Sequence, residues 1–176
     1  FQSTSLRASG TSTVPIAELR QATQFFMIIL MFIGAAPGST GGGIKITPFA
    51  VLVAAVYAMI RGREDVVIFR NRVSPVLVYK AITATVFGLL LVILFTLVLT
   101  FTEKQPFLTV LFETTSAFGT VGHSMGMTGE LTAFGKTMLV ALMVIGRLGP
   151  LTLALALQPK QSKPLYRHPE GKIIIG

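Results

Sequence analysis

Gly34-Ala-Ala-Pro-Gly-Ser-Thr-Gly-Gly-Gly43 sits inside an apolar tract that runs from Phe25 to Ile60. As one helix, that tract would measure roughly 50 Å, well beyond a hydrocarbon core of about 30 Å. A proline followed by consecutive glycines does not continue a helix. The tract therefore divides into two half-helices, about Ile16 to Ala35 and Thr47 to Arg61, joined by irregular backbone. At membrane depth, irregular backbone is tolerated only against protein or a water-filled cavity. A cavity or pore is thus implied before any motif is considered.

Working outward, Val76 to Phe101 is long enough to span, with Lys80 as its only charge. Leu131 to Leu157 is a second candidate, carrying Lys136 and Arg147. Between them, Phe107 to Phe118 is apolar but only about 18 Å long as a helix. It reads as a re-entrant half-helix, followed by the Gly-rich loop Gly119-Thr-Val-Gly-His-Ser-Met-Gly126. The start of the chain loosely repeats the end of this pattern, since Ser9-Gly10-Thr11-Ser12-Thr13 precedes an apolar helix. The fold expected is all-α integral membrane, with helix, pore loop and helix repeated around a cation pore. Residues 1–62 end one repeat, 63–75 form a cytoplasmic loop, 76–158 form a complete repeat and 159–176 a cytoplasmic tail. Within the complete repeat we expect an outer helix over 76–101, a pore helix over 106–118, a filter at 119–124 and an inner helix over 131–157. The chain lacks an initiator Met and opens in what reads as a loop without a leader pattern, so we expect a piece of a longer protein.

Composition agrees with a membrane setting. The 176 residues are 52% hydrophobic and 12% charged, against about 25% charged in soluble domains, and mean hydropathy is +0.73. The net charge of +8 lies mainly between apolar runs, which reads as orientation in the bilayer and not as nucleic-acid binding. Arg61, Arg63, Arg70 and Arg72 cluster in one loop, and Lys160, Lys163, Arg167 and Lys172 in the tail. Both belong in the cytoplasm by the positive-inside rule. The absence of cysteine excludes disulfides and thiolate metal sites. His123 and His168 are far apart and make no metal-ligand pattern. No nucleophile–base arrangement or paired carboxylates are present, so no enzymatic chemistry is expected.

Thr120-Val121-Gly122 carries the sharpest chemical signal. A potassium filter replaces the ion's water with backbone carbonyl oxygens, and glycine permits the dihedrals this requires. The preceding half-helix would direct its negative dipole end at the ion. The bland reading is an extracellular turn. Gly10 would be the counterpart in the other repeat, or merely a glycine in a polar loop. The segment from Gly34 to Lys45, including Pro37, Gly38, Ser39, Thr40, Gly41, Gly42 and Gly43, reads as a flexible intramembrane plug. A phosphate loop requires Gly-Lys-Ser/Thr in succession, and Ile44 separates Gly43 from Lys45. Lys45 is expected to snorkel to the cytoplasmic surface in preference to sitting at the inner mouth. Arg147 lies deep in its apolar run, where a charge normally faces the bundle interior. Carbonyls of the Gly-rich segment are its expected partners, in a gate-controlling role or a purely structural one. His123 is expected as an exposed imidazole at the outer mouth, and Glu113 as the cap of a loop amide. The methionines read as apolar filler.

Phe32-Ile-Gly-Ala-Ala-Pro-Gly-Ser-Thr-Gly-Gly-Gly-Ile-Lys45, Ser116-Ala-Phe-Gly-Thr-Val-Gly122 and Ile145-Gly-Arg-Leu-Gly-Pro-Leu-Thr152 together resemble KtrB-type subunits of the Trk/Ktr/HKT superfamily of potassium transporters. The resemblance extends to the tail that ends Lys172-Ile-Ile-Ile-Gly176. It implies four repeats around one pore, with this chain corresponding to the end of the third and all of the fourth. Ser9, Gly10 and Thr11, with Thr120, Val121, Gly122 and His123, would flank the ion through backbone carbonyls. Residues 34–45 would be the gating loop, with Arg147 beside it. The transported ion would be K+ or Na+, with no covalent cofactor. The implied setting is a multi-pass plasma-membrane homodimer on a cytoplasmic ring of nucleotide-binding regulatory subunits. Two positions depart from the pattern: Thr11 replaces a bulky apolar residue, and His123 replaces leucine.

Overall fold

A computed structural model describes residues 1–149, apart from Ala8 and Glu64, together with Thr152. The expected tail lies outside the described residues, and the last helix, expected over 131–157, ends at Leu148 because Gly149 leaves helical geometry (φ 85°, ψ 134°). Six helices occur among those described: α1 (Gln2–Ser5), α2 (Gln21–Phe32), α3 (Ile46–Ile60), α4 (Pro75–Thr102), α5 (Phe107–Gly119) and α6 (Ala133–Leu148). Short 3-10 turns lie at Ile16–Glu18 and Met127–Gly129.

The first half-helix is shorter than expected. Residues 16–18 form a separate 3-10 turn and α2 begins only at Gln21, because Leu19 and Arg20 are extended. Gln24 is buried, and its Nε2 donates to the carbonyls of Ile16 (3.1 Å) and Ala17 (3.3 Å), tying the turn to the helix. At the other end Ile33 leaves helical geometry and forms a parallel bridge with Ile44. The Gly34 N–H donates to the Ile44 carbonyl (2.6 Å), and the Ile46 N–H to that of Ala35 (3.2 Å). The Gly-rich segment is therefore an excursion whose two ends are hydrogen-bonded together.

Helix α4 is the one described helix long and apolar enough to cross a membrane. Its 28 residues measure about 42 Å, and Pro75 occupies its first turn, where a missing N–H costs nothing. Exposed Val86, Leu89, Leu90, Ile93, Leu94 and Leu97 cover its outer side. Buried Ala81, Ala84, Gly88, Val92, Thr96 and Leu99 face the other helices. Helix α5 is the hub, packing against α2, α4 and α6, while α3 packs on α4. From Phe112 to Gly119 every residue of α5 is buried. Two apolar clusters meet there. One gathers Phe118, Val110, Leu99 and Leu142, and the other gathers Phe112, Leu6, Met31 and Val121.

The loop over 63–75 contains a feature absent from the sequence reading. Strands β1 (Val67–Ile68) and β2 (Asn71–Arg72) pair antiparallel around Phe69 and Arg70, both at positive φ. Phe-Arg is not a recognised turn pair for that geometry, so the hairpin was invisible in the sequence.

Candidate functional site

Helix α5 ends by turning into the left-handed region at Thr120 (φ 51°, ψ 40°). The Thr120 N–H donates to Ala117 (3.1 Å) and the Val121 N–H to Ser116 (2.9 Å), closing the helix C-terminus. This is a position where glycine usually stands. Threonine holds it with its hydroxyl engaged, since Oγ1 accepts the Gly42 N–H at 2.8 Å. The neighbouring Gly43 N–H donates to the Gly146 carbonyl of α6 (3.3 Å). Two separate elements, the end of α5 and the α6 backbone, thus hold the buried half of the Gly-rich excursion.

That excursion has two characters. Gly41, Gly42, Gly43 and Ile44 are buried, whereas residues 36–40 are exposed, among them Pro37, Gly38, Ser39 and Thr40. Lys45 differs from expectation. Its Nζ curls back over its own loop and donates to the carbonyls of Ser39 (2.9 Å) and Gly41. Loop carbonyls left without backbone partners satisfy the ammonium locally, which removes the reason to snorkel. Arg147 differs as well: it is exposed, and among the described residues it donates no hydrogen bond to the Gly-rich segment. It lines an open cleft beside Thr120, Met143 and Val144. The carbonyls assigned to it in the sequence reading are taken by Lys45.

Gly10 lies directly against Val121 and Gly122. A Cβ built on Gly122 would come within 3.3 Å of the Gly10 Cα, and one built on Gly10 within 3.1 Å of the Val121 carbonyl oxygen. Both glycines have positive φ, 68° at Gly10 and 91° at Gly122. Each follows a fully buried apolar residue, Leu6 or Phe118, by four positions. Two segments far apart in sequence therefore share one local design and meet at their glycines.

His123 corrects the sequence reading most sharply. It is only 2% exposed, not an imidazole in solvent. Its Nε2 lies 3.2 Å from the Ser5 hydroxyl and 3.2 Å from the Thr11 carbonyl oxygen. Glu113 caps the loop that follows: Oε1 accepts from the Met125 N–H (3.1 Å) and the Ser124 hydroxyl, and Oε2 from the Thr128 hydroxyl (3.3 Å). Glu103, at the end of α4, was not singled out in the sequence. It is buried and accepts from the Thr132 N–H (3.3 Å) and hydroxyl, just before α6. Its partner lies 29 residues away in sequence, so no local signal marked it. No group of three or more metal-ligating His, Cys, Asp or Glu side chains occurs among the described residues.

A family model described as TrkH, cation transport protein, matches residues 1–164. The chain belongs to that family. It is accordingly a helical membrane protein. Among curated relatives, it is 42% identical to Ktr system potassium uptake protein D of Bacillus subtilis, over all of this chain and 39% of that protein. Identity is 40% to Ktr system potassium uptake protein B of Vibrio alginolyticus, over all of this chain and 38% of that protein. Identity is 34% to potassium/sodium uptake protein NtpJ of Enterococcus hirae, over all of this chain and 40% of that protein. These names belong to transport proteins, not enzymes. The TrkH-family chain spans about two fifths of the length of the relatives it matches.

Proposed function

We propose that this chain supplies two of the backbone segments that line the pathway of a monovalent cation uptake protein. The segments are Ser9–Thr11 and Thr120–His123, and the cation is potassium or sodium. Residues 34–45 form the gate beneath them, with Arg147 beside it. The observation that carries the reading is the meeting of Gly10 and Gly122, both at positive φ and packed so closely that a Cβ on either would be a tight contact (3.1–3.3 Å). Such backbone can turn carbonyl oxygens toward an ion, which is how a filter replaces hydration water. Relatives named for potassium uptake and for potassium/sodium uptake support the ion class.

The gate assignment draws on the way the excursion is held. Its buried half is hydrogen-bonded to α5 and α6, whereas residues 36–40 are exposed, and consecutive glycines give it little intrinsic rigidity. The remaining filter segments would come from the rest of the full-length protein. That protein would sit in the plasma membrane with the Arg61 to Arg72 loop and the C-terminal tail in the cytoplasm. It would work as a homodimer on a cytoplasmic nucleotide-binding regulatory ring.

Uptake of potassium and sodium by the full-length protein, in bacterial cells lacking their own potassium uptake, tests this reading. Potassium-preferring uptake is expected. Correct membrane insertion without uptake of either ion would overturn it in favour of a non-conducting scaffold.

A further inference from the structure

His123 joins the two segments through the Thr11 carbonyl. A carbonyl oxygen has two lone pairs, and both are engaged here. One accepts the Ser5 hydroxyl, and the other lies 3.2 Å from His123 Nε2. A carbonyl can only accept, so Nε2 carries the hydrogen. The same N–H is shared with the Ser5 oxygen at 3.2 Å, whose own hydrogen is directed at Thr11. Nε2 therefore donates, and the buried Nδ1 has no partner among the described residues.

We propose that His123 is a specificity-positioning residue, which clamps the Thr11 carbonyl and withdraws it from the set of oxygens available to the ion. The proposal rests on the transport reading above. The arrangement spans 112 residues of sequence and places a buried polar ring between segments otherwise packed through Gly10 and Gly122. Burying an imidazole with one nitrogen unsatisfied is costly. An apolar side chain of similar size would fill the space without that cost, so packing alone does not explain the histidine. The clamp does explain it, because only a donor can hold a carbonyl in place. A filter with fewer free carbonyls coordinates its ion less completely, and the number of coordinating carbonyls is one determinant of potassium-over-sodium preference. The clamp therefore lowers that preference relative to a filter in which this oxygen is free.

The experiment compares potassium-to-sodium uptake ratios of the full-length protein, unmodified and with His123→Leu or His123→Gln, at matched membrane abundance. Leucine removes the donor, and the ratio is expected to rise about threefold or more. Glutamine keeps an N–H at similar reach, and the ratio is expected to stay near that of the unmodified protein. A role in packing alone would not separate the two variants in this way. An unchanged ratio in His123→Leu, or an equal change in both variants, would overturn the clamp. If His123→Leu fails to insert, Ser5→Ala removes the other hydrogen bond to the same carbonyl. With His123 still clamping the carbonyl, Ser5→Ala is expected to leave the ratio near that of the unmodified protein, and the double variant Ser5→Ala with His123→Met, which removes both donors, to raise it; no rise in the double variant would overturn the proposal. Absence of uptake by the unmodified protein would overturn the transport reading and the clamp together, whereas normal uptake with an unchanged ratio overturns the clamp alone.

Discussion

Thr120 shows how one side chain can link two segments far apart in sequence. A non-glycine residue in the left-handed region costs roughly 1–2 kcal/mol, yet threonine stands there because its hydroxyl accepts the Gly42 N–H. Valine at this position keeps the shape and leaves a buried N–H unsatisfied, a loss of about 1–3 kcal/mol. We expect Thr120→Val to release the Gly-rich segment and raise unregulated potassium uptake several-fold, while Thr120→Ser stays close to the unmodified protein. Uptake assays on the full-length protein distinguish them, and equal behaviour of the two variants would deny the hydroxyl this role. Lys45 belongs at the same scale. Lys45→Met frees the Ser39 and Gly41 carbonyls and is expected to increase loop mobility, read as faster amide exchange over residues 36–43. Neither interaction was legible in the sequence. Thr-Val-Gly announced an unusual backbone, but which distant N–H would meet the threonine depends on how the excursion folds back. The same holds for His123, whose burial follows from the approach of residues 5–11, a contact with no local signal.

Among the elements, α4, α5 and α6 were legible because their apolar runs are long and bounded by plain signals. Pro75 and Pro106 mark two starts, and Thr132 is an N-cap whose side chain accepts the Gly135 N–H (3.1 Å). The ends of α3, α4 and α5 fall within one residue of those expected, the usual scatter of helix termini. Two helices differ: α6 closes at Leu148, short of the expected 157, because Gly149 adopts positive φ, and α2 starts late because Gln24 fixes a separate turn ahead of the helix, effects that hydropathy does not register. The α4–α5–α6 unit is held at its outer end by Glu103, which reaches from α4 to the start of α6. Hydrogen bonds to a charged group contribute about 1.5–3 kcal/mol. Glu103→Ala should therefore lower the unfolding midpoint of the detergent-solubilised full-length protein by several degrees, measured by thermal scan. The closest approach is between α5 and α6, where a Cβ on Gly146 would collide with the Phe118 carbonyl. Gly146→Ala forces the helices apart at a cost of about 1–3 kcal/mol and should also weaken the Gly43 hydrogen bond to the Gly146 carbonyl. A melting curve unchanged by Gly146→Ala would contradict that packing.

For the whole molecule, one architectural fact dominates: a short helix, α5, buried from Phe112 to Gly119, packs against α2, α4 and α6 and ends on a backbone turn. The interrupted tract around Gly34–Gly43 implied a cavity, and the re-entrant length of Phe107–Phe118 implied a loop beside it. Both inferences came from length against bilayer thickness, a constraint strong enough to be read without coordinates. What the sequence lacked was the meeting of the two glycine segments, because Gly10 has almost no local context. The direct measurement is potassium and sodium uptake by the full-length protein, unmodified and with Gly122→Ser, at equal membrane abundance. A side chain at Gly122 would press on the Gly10 Cα and occupy a positive-φ backbone position. The account predicts potassium-preferring uptake by the unmodified protein and a preference reduced tenfold or more, or uptake abolished, in the variant. Equal uptake and equal preference in the two proteins would contradict the claim that these glycines line the ion's path.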